Sequence, residues 1–454
     1  MDAVARNDLD AADAVLERLP QRGVSAITRP LLRAWAAAMR GDTEAALERV
    51  APLKNRAGFG VLYSLHAALI DDLAGRSEAA RQAYDAALEA ATQPSLRLTW
   101  LVGNFFERSG ARERAIEVYR DFLARDPDSV LIARALRRAE AGETPAPVIT
   151  DARAGMAESL FNLASLLSRE RAEEIAMIHV HMALRLRPDF MVARILLAEI
   201  LQGQGRGEKA IAVYRELPSD SPFAWTVGLR VADELERLDR VEEAIAEYER
   251  LAAARPDRYE PLLRLGNLLR NRERFAEAVD AYDRAAARIG TPQRRHWTLF
   301  YFRGIALERL SQWERAERDF LLALELEPEQ PFVMNYLAYS WVEKKLHLDK
   351  AKSMLVRAVE LRPDDGYIVD SLGWVYYRLG EYDKGVQYLE RAVELRPQDP
   401  VINDHLGDAY WRVGRRHEAR FQWRRALSLD PEEDVAEKIR AKLQRGLVDA
   451  PKDI

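Results

Sequence analysis

Two stretches near the C-terminus, DSLGWVYYRLGEYDKGVQYLERAVELRP (Asp370 to Pro397) and NDHLGDAYWRVGRRHEARFQWRRALSLDP (Asn403 to Pro431), carry one pattern twice. Leu372-Gly373 answers to Leu406-Gly407, Tyr376 to Tyr410, Gly380 to Gly414, Ala392 to Ala426 and Pro397 to Pro431, at an offset of 34 residues (373 to 407, 380 to 414, 397 to 431). Gly373 and Gly407 fall inside apolar helical runs, where glycine costs about 1 kcal/mol against alanine, so a close helix contact must compensate. Gly380 and Gly414 stand where a first helix must stop and can supply the left-handed residue of a C-cap. Pro397 and Pro431 end a second helix, because proline lacks the N–H of the next turn and its ring clashes with the preceding one. The unit is a pair of helices.

A 34-residue helix pair with a Leu-Gly, a later aromatic and a closing proline resembles the tetratricopeptide repeat. That resemblance implies an all-α fold, an α-solenoid whose helix-turn-helix units stack into a right-handed superhelix. It extends over about residues 8 to 446 and is specific for fold but not for function. More narrowly, the run from Asp364 to Arg420 is similar to tetratricopeptide proteins of Gram-negative bacteria, some of them exported or lipid-anchored and one group acting as adaptor for a periplasmic processing protease. The lipid-bearing cysteine of such proteins is missing here.

The register extends upstream. A second helix is expected from about Asp8, which leaves the first hairpin cut in half and hints at an earlier natural start with an export signal, or else at a degenerate cap. Without such a signal, the sequence as written reads as a soluble protein of the compartment where it is made. Gly41 with Ala46, Gly75 with Ala80 and Gly110 with Ala115 anchor three units over residues 27 to 129. Pro145 and Pro147 then forbid helix, so 142–156 is expected as a mobile linker, with a docked, partner-binding strand as the alternative. The expected organisation is an N-terminal segment 1–141, this joint, a C-terminal segment 157–446 ending in a capping helix on Val435, Ile439 and Leu443, and a tail 447–454. Insertions lengthen the turns at 291–296 and 344–348.

Composition narrows the function classes. With 48% apolar and 31% charged residues the chain is expected to fold, and a net charge of −5 gives no general attraction to nucleic acid. The basic run Arg412, Arg415, Arg416, Arg420, Arg424 and Arg425 is read as a charged helix face. There is no cysteine for disulfides, thiolate catalysis or metal ligation, and no apolar run long enough for a membrane span. The seven histidines include no H-E-x-x-H pair, and His179 and His181 would point to different helix faces. Gly203-Gln204-Gly205-Arg206-Gly207 matches neither phosphate-loop spacing and is read as an inter-helix turn. No enzyme, metal or cofactor is expected.

What remains is surface for protein partners. In the opening unit Val369, Leu372, Gly373 and Tyr376 are assigned to the core, which leaves Asp370, Trp374 and Tyr377 on a neighbouring face. The next unit offers Asp404, Asp408 and Trp411, and the preceding ones Asn335 with Tyr339 and Tyr301 with Ile305. Such a row of rings and carboxylates either binds a partner's basic and apolar side chains or packs on the adjacent helix. In the N-terminal segment Trp100 and Asn104 hold the same positions, without the lysine that completes the carboxylate clamp of some tetratricopeptide domains. The expectation is an interaction scaffold or adaptor for a peptide or protein partner, with a self-associating, homo-oligomeric assembly factor as the alternative.

Overall fold

The structure, a computed structural model, describes residues 2–6 and 8–447. Among these the regular elements are twenty-six α-helices and two short 3-10 turns, with no strand. The chain forms two compact units, Met1–Glu247 and Tyr248–Ile454. The division falls inside helix Val241–Ala254, so the proline-containing stretch at 142–156 lies within the first unit.

In unit 1, hairpins pair Ser25–Met39 with Thr43–Val50, Gly60–Leu73 with Ser77–Ala90, and Leu96–Arg108 with Arg112–Arg125. Upstream, helix Leu9–Glu17 starts on an Asp8 cap, as the register predicts. Helix Leu96–Arg108 crosses its partner at a glycine: a Cβ on Gly103 would lie 2.2 Å from the Tyr119 ring. After helix Val130–Glu140 the chain runs extended, and here it is docked rather than free. Its prolines leave carbonyls without helical partners, and side chains supply the donors. Arg112 Nη2 donates to the Gly142 carbonyl at 2.9 Å, Asn104 Nδ2 to Ala146 at 2.9 Å and Arg187 Nη1 to Val148 at 3.3 Å. Ile149 is buried beside them.

Asn104→Ala should therefore open this strand. Broad-specificity proteolysis of the variant is expected to cut first between 142 and 151, at least several-fold faster than in the parent chain. An unchanged cleavage pattern would show that the Asn104 contact does not hold the strand.

Asp151 then caps helix Ala152–Arg169 by accepting from Ala154 N at 2.8 Å. This helix packs on Ser25–Met39 and Gly60–Leu73 as well as on its own partner Glu173–Leu186. The fit needs a glycine, because a Cβ on Gly155 would sit 2.1 Å from the ring of fully buried Trp35. The unit continues through Met191–Gly203 with Gly207–Arg215, then Ala224–Arg237.

Unit 2 stacks Glu260–Asn271 with Phe275–Ile289, Trp297–Arg309 with Trp313–Leu326, Pro331–Glu343 with Leu348–Leu361, Gly366–Arg378 with Tyr382–Leu395, and Pro400–Arg412 with Arg416–Ser428. Helix Glu433–Arg445 closes the series. The close contacts demanded by Gly373 and Gly407 are present, to Leu389 at 2.7 Å and Trp423 at 2.5 Å from an added Cβ. Gly380 and Gly414 adopt φ of 79° and 84°. The longer turns hold the 3-10 turn Arg294–His296 and, at the second insertion, left-handed Lys345 and His347. Residues 448–454, most of the expected tail, lie outside the described residues.

Candidate partner-binding site

The inner face of unit 1 is filled by the chain itself. Glu158, fully buried on helix Ala152–Arg169, pairs with Arg97 Nε at 2.9 Å and with its Nη2 at 2.5 Å. Trp35 Nε1 donates to His66 Nδ1 at 3.2 Å, and burial pushes the His66 imidazolium down to a pKa of about 4 despite nearby Glu158, so His66 is neutral. Thr28 Oγ1 and His179 Nε2 lie 3.3 Å apart. Of the two candidates on this face, Trp100 packs edge-on to Phe223 with Arg97 over its ring, and Asn104 holds the docked strand.

Unit 2 can be read slot by slot along its first helices. Tyr301 joins a ring cluster with Trp297, Phe302, Phe320 and Tyr336. Asn335, Tyr339 and Asp370 come together around a pocket of about 500 Å³ formed by helices Pro331–Glu343, Gly366–Arg378 and Pro400–Arg412. Tyr336, Glu343, Tyr367 and His405, absent from the sequence-based set, complete much of its wall. Trp374 is half-buried, stacked between Tyr377 (4.7 Å between ring centres) and His405 (4.0 Å), and its Nε1 donates to Glu343 at 2.8 Å. That placement is packing on the next helix.

The carboxylates are buried and already paired. His405 Nδ1 lies 3.0 Å from both Asp370 oxygens. Burial opposes the imidazolium, but Asp370, with Asp404 and Asp408 behind it, more than offsets this and raises the His405 pKa. Asp404 and Asp408 receive Lys442 from the capping helix, at 2.7 and 2.8 Å. Trp423 Nε1 also donates to Asp408 at 2.9 Å. Trp411 lies against Trp423 with Arg416 over its ring at 3.9 Å, and Gly446 closes on it so tightly that a Cβ there would meet the ring at 2.0 Å. Within the arginine run, Arg415 pairs with Glu390 and Glu418, and Arg420 joins Arg416 over the Trp411 ring.

Asp408 makes this end sensitive to pH. Burial raises its pKa, Lys442 opposes and Asp404 reinforces, giving about 6 against an ordinary 3.8. The folded form then holds a proton that the unfolded chain has lost, so this group's contribution to stability falls as pH rises from about 4 to about 6. His405, also raised, adds stability below its unfolded pKa that is lost as pH climbs through its folded value. Melting of Asp408→Asn across that window is expected to lack the downward slope of the parent; equal slopes would assign it to another group.

Family models agree with this repeat architecture. Models described as tetratricopeptide repeat match residues 74–130, 229–295, 369–399 and 402–433. The chain carries tetratricopeptide repeats, and its fold is the all-α solenoid of such repeats. A TPR repeat-containing protein of Pseudomonas aeruginosa is 30% identical over 83 residues, which is 18% of this chain and 14% of that protein's length. Among solved structures, the APC/C hetero-tetramer Cut9–Hcn1 is 15% identical with a TM-score of 0.45, covering 98% of this chain and 95% of that one. YrrB, a TPR protein with an unusual peptide-binding site, is 21% identical with a TM-score of 0.33, over 42% of this chain and 92% of its own. A repeat protein from Parabacteroides merdae is 13% identical with a TM-score of 0.41, over 64% and 99%.

Among the described residues no helix is long and apolar enough to cross a membrane, and no cluster of three or more His, Asp or Glu is placed to hold a metal ion.

Proposed function

We propose that unit 2 is the recognition surface and that a peptide or protein segment of the partner lies across helices Pro331–Glu343, Gly366–Arg378 and Pro400–Arg412. The observation that carries this reading is the pocket of about 500 Å³ between them, a volume within the range of ligand sites. Elsewhere the inner-face residues are engaged by the chain itself, Asn104 by its docked strand and Asp404 with Asp408 by Lys442. Tyr339, which lines the pocket, supplies rigid contact area of the kind in which binding energy concentrates. Phe332, Tyr367 and Val401, all exposed and in corresponding positions of successive helices, extend an apolar rim beside the pocket. Delivery of a partner to a processing protease is the form that the resemblance to envelope adaptors gives this role.

A photo-crosslinking side chain at position 339 of the full chain would trap the partner for identification, after which affinities are measured directly. Tyr339→Ala is expected to weaken binding by about 2 kcal/mol with a smaller effect on melting. Unchanged affinity would move recognition off this surface. Sedimentation of the chain alone tests the alternative: a species that gains mass only with partner is a scaffold, whereas self-association without it marks an assembly factor.

A further inference from the structure

Resting on this reading, we infer that the pocket receives a basic side chain, arginine or lysine, from the partner. The repeat register supplies a precedent within the same unit. Asn335, Asp370 and Asp404 occupy one slot of successive first helices, and Tyr339, Trp374 and Asp408 the slot one turn on. In the last pair the occupant is present: the Lys442 ammonium of the terminal helix lies between Asp404 and Asp408 at 2.7 and 2.8 Å. The inner face of this solenoid already holds a lysine where two acceptors project from adjacent turns.

Two repeats upstream the pocket has the acceptors without the lysine. Asn335 Oδ1 is buried and has no hydrogen-bond partner among the described residues. Glu308, Glu343 and Asp399 line the same space, along with the rings of Tyr336, Tyr339 and Tyr367, Glu343 already accepting from Trp374 and Arg378 and Glu308 from the Tyr336 hydroxyl. The lining cations Arg309 and Lys344 are drawn to rings instead, Arg309 over Phe275 at 5.3 Å and Lys344 over Trp313 at 5.0 Å. His405 is held by Asp370.

A guanidinium or ammonium would satisfy Asn335 Oδ1, meet the carboxylates and lie against tyrosine faces, which attract cations. An apolar side chain would leave the buried carbonyl oxygen unpaired, and an acidic one would face like charge.

Four fluorescein-labelled Ala/Ser decapeptides test this, identical except for a central arginine, lysine, citrulline or glutamate, titrated into the full chain by anisotropy. The arginine and lysine peptides should bind at least tenfold tighter than the citrulline and glutamate peptides. Asn335→Asp, an isosteric change, should tighten the arginine peptide several-fold, steepen its salt dependence and leave the citrulline peptide unmoved. Citrulline binding as tightly as arginine would overturn the charge proposal while leaving the docking surface in place. So would binding of none of the four by a chain whose crosslinked partner still depends on Tyr339. If the partner also ignores Tyr339→Ala, the surface itself falls.

Discussion

Glu158→Ala is expected to destabilise unit 1 by about 3–5 kcal/mol, the cost of leaving one half of a buried ion pair without its partner. Glu158 is fully buried and Arg97 nearly so, with a side-chain exposure of 10%, so water cannot replace the lost carboxylate. The pair joins helix Leu96–Arg108 to helix Ala152–Arg169, elements separated in sequence by the docked strand, and so reports on that closure directly. Denaturant melts of the two single variants and of the double variant with Arg97→Met make the test sharp. The double variant should recover part of the loss, because an apolar pair can stand where a lone charge cannot. A loss below about 1 kcal/mol for Glu158→Ala would mean that the helix does not rest in the groove of the first three hairpins.

Trp423→Ala should cost a comparable 3–5 kcal/mol in unit 2, through a cavity that its neighbours cannot close. Trp423 is fully buried, lies under Gly407 and donates to Asp408, with Trp411 and Tyr410 in the same core cluster. Its loss also strips Asp408 of a donor and leaves Lys442 to hold both carboxylates. Trp423→Phe keeps most of the volume and should recover the larger part, leaving the hydrogen-bond loss of about 1–2 kcal/mol. If the phenylalanine variant were as unstable as alanine, the indole N–H and not the packing would dominate.

The helix pair was legible in the sequence because its rules are local. Gly380, Gly414 and the closing prolines follow from backbone sterics, and Gly373 and Gly407 from helix crossing, none of which needs knowledge of distant residues. The same turn position is taken by Arg171, Asp239, Glu273, Ser311 and Lys345, all near φ of 58–60°. Stacking holds them there against their preference, so glycine spacing alone underreports the repeats.

The docked strand was not legible, because its fate depends on Asn104, Arg112 and Arg187, two of which come from helices before it and one from a helix after. Nor was the state of the inner face. The spacing puts Asp404, Asp408 and Trp411 together, but Lys442 and Gly446, which cover them, follow more than thirty residues later without any periodic signal. Tyr336 and Tyr367 went unnoticed because the helical wheel gave Asn335 and Tyr339 the inner stripe, whereas the pocket is wide enough to draw on the flanking positions and on the next helix.

The ion pairs of Lys442 and the glycine beneath Trp411 bear on how force would enter the chain. A stack of hairpins pulled from its end ordinarily peels, each unit yielding as its neighbour leaves, with the outermost offering least resistance. Here the last helix is bolted across two turns of helix Pro400–Arg412, the first of the last pair, so a load applied beyond it meets its first mechanical barrier at the edge of unit 2. The edge must shear two charge contacts and a ring contact together before any repeat can unzip.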